Sequence, residues 1–135
     1  MTQIAPIIVP GYAAVFVFIF VLLAARVIWM RQTRRVAIGT GGHVDLERAL
    51  RVHANFSEYV PFAILLIAFL EMQNQPRWLI HALAIGLLLG RITHICGVSR
   101  QDEDFRFRRI GMFFTFMVMI VAAVRLLTSA LWAGA

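Results

Sequence analysis

The chain has 135 residues, of which 61% are hydrophobic and 15% charged, too little polar surface to cover a water-soluble fold of that size. Its formal charge of +6 rests on thirteen basic residues, all of them arginine. Most of these stand in the connections beside apolar stretches, which argues for membrane topology and anionic lipid headgroups and against a nucleic-acid partner.

Four apolar stretches, at residues 12–30, 54–70, 78–96 and 110–131, are predicted to cross a membrane. About 20 helical residues match a hydrocarbon core of about 30 Å, and a helix satisfies its own backbone hydrogen bonds there. No basic residue precedes Arg26, so the first stretch reads as a retained span and not as a cleaved signal peptide. After the loop Gly39-Thr40-Gly41-Gly42, Asp45 is placed to N-cap a helix expected over residues 46–72 and kinked at Pro61. The turn Gln73-Asn74-Gln75-Pro76 makes spans two and three antiparallel neighbours, with Pro76 suited to a first helical turn. Gly86 and Gly90 form a small-xxx-small pair, which allows close approach to a helix of this chain or of another subunit. The acidic run Gln101-Asp102-Glu103-Asp104 is expected to pair with Arg106, Arg108 and Arg109 or to cap span four. No repeat or long linker divides residues 1–135, so the sequence describes one domain: an all-α, four-helix transmembrane bundle.

The arginines orient it. Arg31, Arg34, Arg35, Arg48 and Arg51 follow span one, and Arg100, Arg106, Arg108 and Arg109 follow span three, whereas only Arg77 lies in the remaining connection. Both long loops are therefore expected in the cytoplasm, with both termini on the opposite side. The one cysteine, Cys96, excludes an internal disulfide, and a membrane-embedded thiol is more often a packing residue than a redox group.

Arg48, Arg51, Asn55 and Glu58 follow one another at spacings of three, four and three, which puts them on a single helical stripe adjoined by Tyr59. A carboxylate at the start of an apolar run is expensive to bury, and an arginine is its expected partner. Gluing helices together needs only one charge pair. Two guanidinium groups, an amide, a carboxylate and a phenol suit a zwitterionic ligand better, because arginine binds carboxylates in bidentate fashion and Glu58 can accept from an ammonium group. Glutathione is such a molecule. A second set, Arg91, His94, Cys96, Arg106, Arg108 and Arg109, lies toward the same side, where Arg109 or Arg108 could stabilise a thiolate by charge and hydrogen bonding. His94 could donate to a ligand, although a lone histidine at a helix end is more often a packing residue. No histidines stand at metal-ligand spacing, so no metal site is expected.

The segment Glu47-Arg48-Ala49-Leu50-Arg51-Val52-His53-Ala54-Asn55-Phe56-Ser57-Glu58-Tyr59-Val60-Pro61 resembles the signature of the MAPEG family, membrane-associated proteins in eicosanoid and glutathione metabolism. The likeness extends to the four-span layout, the glycine-rich loop before span two and the arginine cluster before span four, and is strongest to small bacterial members. It implies a homotrimer in a bacterial inner membrane, termini in the periplasm, holding glutathione between neighbouring subunits. Arg51, Asn55, Glu58 and Tyr59 match the family's glutathione-binding motif, with Arg48, His94 and Arg108 beside them. Arg109 looks like the family's thiolate-supporting arginine, with Arg108 and Arg106 as alternatives because a loop of variable length intervenes. Arg35, or Arg34, is similar to a further ligand arginine. Where leukotriene-forming members carry tyrosines near the end of span three, this chain has His94, Gly97 and Val98, so that part of the pocket is altered. The function implied is a glutathione-dependent transferase or peroxidase acting on lipophilic electrophiles, with glutathione as cosubstrate and a hydrophobic substrate entering from the bilayer. An isomerase would use the same pocket. The competing class is a non-catalytic membrane module that uses the polar seam for assembly or for a small anionic or lipid ligand. A proton-coupled transporter fits less well, since four spans without a repeat offer little for alternating access.

Overall fold

A computed structural model describes residues 5–99 and 105–133. They form four long helices, α1 (Val9–Arg34), α2 (Val44–Met72), α3 (Arg77–Ser99) and α4 (Phe105–Ala133), each long and apolar enough to cross a membrane. The helices extend past the apolar runs, α2 farthest, from residue 54 back to Val44, because polar residues continue a helix into the headgroup zone. The acidic run at residues 101–104, with Arg100, lies outside the described residues.

The chain runs up and down, so each end of the bundle gathers two helix starts or ends from each direction. At one end the start of α1 meets the last turn of α2. Glu71 accepts the backbone N–H groups of Ile7 and Ile8 on Oε1, at 2.8 and 2.6 Å, and that of Val9 on Oε2 at 2.8 Å. A carboxylate here satisfies donors that a helix leaves open at its first turn and complements the positive end of its dipole. Nearby, the Tyr12 hydroxyl lies 2.9 Å from His81 Nδ1, Arg125 donates to Gln75 Oε1 at 2.7 Å, and Ser129 to Gln73 Oε1 at 2.6 Å.

At the arginine-rich end, α1 closes on Arg35, whose φ of 55° is left-handed, and Val36 donates back to the Arg31 carbonyl at 3.0 Å. Gly41 turns the following loop at φ +56°, where a Cβ would stand 2.7 Å from Val36. The expected N-cap at Asp45 is corrected: His43 holds that position without a side-chain cap, and Asp45 lies inside the first turn. Its Oδ1 accepts the Leu46 N–H at 3.0 Å, and its Oδ2 pairs with Arg34, which also lies 3.2 Å from His43 Nδ1. That ion pair fastens the end of α1 to the start of α2.

Along α2, Leu46, Ala49, Val52, Phe56, Val60, Ala63, Ile67 and Leu70 are buried, at the three-and-four spacing of a helix with one face inside. The helix continues through Pro61. The polar stripe of Arg48, Arg51, Asn55 and Glu58 is displaced one position around the same helix. Elsewhere the surface is apolar: Phe18, Leu22, Trp29, Phe62, Phe113 and Leu131 all face outward, as a lipid-embedded bundle requires.

α3 and α4 approach most closely, and glycines make that contact. A Cβ on Gly111 would lie 2.7 Å from the Gly90 carbonyl and 2.8 Å from the His94 backbone nitrogen; one on Gly97 would lie 3.0 Å from the Arg108 nitrogen. The Gly86 and Gly90 pair thus packs within the chain, Gly86 against Val118 and Gly90 against Phe114 and Gly111.

Candidate functional site

The polar stripe of α2 forms one wall of a recess at the arginine-rich end, and α3 and α4 form the others. Its volume is about 360 Å³, within the range of small-molecule sites. Arg48, Arg51, Asn55 and Glu58 line it from α2, His94 and Val98 from α3, and Arg108 from α4. Glu47 also contributes to the wall. Three guanidinium groups, two carboxylates, an amide and an imidazole therefore converge on one space.

Each side chain is positioned by its helix. The stripe spacing brings the α2 residues to one face. His94 is buried because Gly111 allows α4 to pass directly over it, and Arg108 reaches the recess because Gly97 lets the first turn of α4 lie against the end of α3. Arg48 also donates to the Val98 carbonyl at 3.4 Å, and Arg26 to Ser99 Oγ at 2.9 Å. Both place cationic groups at the negative end of the α3 dipole.

The remaining expected residues lie elsewhere. Tyr59 does not line the recess; its ring packs edge-on to Phe116 at 5.4 Å and lies 6.0 Å from the Arg91 guanidinium carbon. Arg109 lies in an adjoining groove with Phe105, Met112, Phe113 and Phe116, and Arg108 borders both spaces. Arg35 is exposed on a separate shallow surface with Arg31 and Gln32. Arg34 is committed to Asp45. Within this subunit, then, Arg108 is the arginine of the α4 cluster that reaches the recess. Cys96 is exposed on α3. His53 stacks on Phe20, ring centroids 4.8 Å apart, away from the stripe.

An arginine partner for Glu58 does not materialise: among the described residues the ion pair is that of Arg34 with Asp45. Glu58 is exposed on the surface of the subunit. The buried cation is Arg91 on α3, 1% exposed. It donates to Asn55 Oδ1 at 2.7 Å, to Thr115 Oγ1 at 2.6 Å, and more weakly to the Gly111 carbonyl at 3.4 Å. Met112 Sδ lies 3.5 Å away. Thr115, fully buried, donates its own hydroxyl to the Gly111 carbonyl at 2.9 Å. Sequence reasoning noted Arg91 only among several basic residues and overlooked Thr115. The available signal was an arginine about 12 Å inside an apolar helix, a position that demands partners.

Four membrane-spanning helices, three of which border a basic, carboxylate-bearing recess at one end, define a small integral membrane protein with a ligand-sized polar site. The chain belongs to the MAPEG family, which it matches over residues 9–128. Similar proteins include the inner membrane protein YecN of Escherichia coli K12 and that of an Escherichia coli O6:H1 strain. Each is 36% identical over 110 residues, covering 82% of this chain and 82% of the relative.

Proposed function

We propose that this protein binds glutathione in the recess and uses it as cosubstrate against lipophilic electrophiles, as a transferase or peroxidase. The observation that carries this reading is the convergence of Arg48, Arg51, Asn55, Glu58, His94 and Arg108 on one space of about 360 Å³. Glutathione has two carboxylates, an ammonium group and two amides. The arginines match the carboxylates, Glu58 the ammonium, and Asn55 an oxygen acceptor.

Glutathione supplies the sulfur nucleophile, so the protein needs no nucleophile of its own. The task of the chain is to hold that sulfur as an anion at the membrane surface. Arg108 does so by charge and by N–H donation, and the thiol proton leaves to water through the open mouth. Arg109 faces an aromatic groove of Phe105, Phe113 and Phe116, suited to a hydrophobic substrate arriving from lipid. In a homotrimer a neighbouring subunit would close the exposed side of Arg51 and Glu58, and Arg109 would face that neighbour's recess. The long loops would lie in the cytoplasm and both termini in the periplasm.

A second reading is favoured by the exposure of Arg51 and Glu58 on one stripe, since opposite charges there could pair with a second copy and serve assembly alone. Calorimetry of the detergent-solubilised protein with glutathione separates the two. The enzyme reading expects saturable binding, lost in Arg51→Ala and Glu58→Ala, together with conjugation of a chlorinated dinitrobenzene that releases chloride. A wild type that binds no glutathione leaves the assembly reading.

A further inference from the structure

We infer that Arg91 is a positioning residue that fixes which way Asn55 faces, so that Asn55 offers an N–H donor to the recess and the ligand group opposite it is a carboxylate. This inference rests on the proposed glutathione site and specifies one of its contacts.

An amide side chain can usually turn over, exchanging its oxygen and nitrogen with little change in shape. Here it cannot. Guanidinium is a donor without an acceptor, so the atom of Asn55 that lies 2.7 Å from the Arg91 nitrogen has to be the oxygen. Arg91 itself is immobile, because its other terminal nitrogen is held by Thr115 at 2.6 Å and its side chain is 1% exposed. With Oδ1 committed to α3, the Nδ2 group is what Asn55 has left for the recess that it lines. The wall at that point donates and does not accept.

The charge balance strengthens the choice of a carboxylate over a neutral carbonyl. Arg91 has oxygen and sulfur neighbours but, among the described residues, no carboxylate within ion-pairing distance, and its Nε has no hydrogen-bond partner. A buried cation without a counter-ion is costly, and it raises the affinity of the nearest accessible position for an anion. That position is reached through Asn55. The amide thus stands between a fixed positive charge and the ligand, accepting from the one and donating to the other.

Asn55→Asp tests this, because it keeps shape and removes the donor. The variant gives Arg91 a carboxylate partner, so its melting temperature in detergent is expected to be no lower than that of wild type, while glutathione affinity falls at least tenfold. Glutathione amidated at one carboxylate should recover: for one of the two monoamides the gap between wild type and variant shrinks at least tenfold, since the carboxylate introduced by the substitution can accept the amide N–H. A lowered melting temperature would overturn the pinning of Asn55 by Arg91. Unchanged glutathione affinity, or an equal loss for glutathione and both monoamides, would overturn the carboxylate assignment. If wild type binds none of the three, the proposed glutathione function and the ligand assignment fall together, while the melting comparison still decides the pinning.

Discussion

The two ends of the bundle use the same polar chemistry for opposite purposes. At the end where α1 begins, Glu71 commits both oxygens to three backbone N–H groups, Tyr12 meets His81, and Arg125 and Ser129 meet the turn between α2 and α3. Its polar groups close on one another. At the arginine-rich end Arg51 and Glu58 stay exposed along the recess, and the buried cation beneath them is met by an amide and a hydroxyl instead of a carboxylate. A membrane protein satisfies charges internally where it wants only stability, and leaves them facing a cavity where it wants a ligand.

The largest effect that sharpens this contrast is expected at the α3–α4 seam. Gly111→Ala forces a Cβ to within 3 Å of three backbone or near-backbone atoms, and overpacking of that kind costs about 1–3 kcal/mol; thermal unfolding in detergent should drop accordingly, and glutathione binding with it because His94 and Arg108 shift. Next comes Arg91→Met, which approximates the volume but orphans the Asn55 carbonyl and weakens the Thr115 site. It should lower stability by about 1–2 kcal/mol and glutathione affinity as well. Glu71→Gln breaks the opposite end. Losing a charge-assisted cap costs about 1 kcal/mol, and glutathione affinity should not change, because no part of the recess touches it. The smallest effect on stability is expected for Arg51→Ala, within about 0.5 kcal/mol, yet its glutathione affinity should fall at least tenfold in calorimetry. If Glu71→Gln lost binding while Arg51→Ala did not, the division of labour between the ends would be wrong.

A further contrast lies between neighbours in sequence. Arg108 borders the recess and Arg109 the aromatic groove. Arg108→Ala is expected to lower thiolate formation and conjugation in any oligomeric state, whereas Arg109→Ala should lower conjugation only in an assembly that brings it to a second subunit's site. Turnover compared with cross-linked oligomer size checks both.

Much of the fold was legible because long apolar runs punctuated by Gly39-Thr40-Gly41-Gly42 and by Gln73 to Pro76 leave few alternatives. The α2 stripe was legible for the same reason: a three-and-four spacing fixes a face whatever surrounds it. What spacing cannot give is the identity of the partner across helices. Glu58 and an arginine looked like a pair because opposite charges attract, but Asn55 is the residue that lies against Arg91, one turn closer to the start of the helix. Nor does sequence order reveal that Asp45 serves Arg34 as well as the first turn of its own helix, since the loop between them brings the two together only through its left-handed residues. The close passage of α4 at Gly97 and Gly111 is likewise a matter of contact between helices, which spacing along one helix does not fix.

That glycine seam has a mechanical meaning for the recess. With backbone pressed close at Gly90, Gly97 and Gly111, and with Phe114 and Phe107 seated against the first two, α4 cannot slide by a turn along α3 without driving larger side chains into spaces that only glycine leaves open. The two walls that α3 and α4 give the recess are therefore held in one register, and a guest is admitted by side-chain rearrangement or at the α2 side, where side chains make the tie, Asn55 to Arg91 and Arg48 to the Val98 carbonyl.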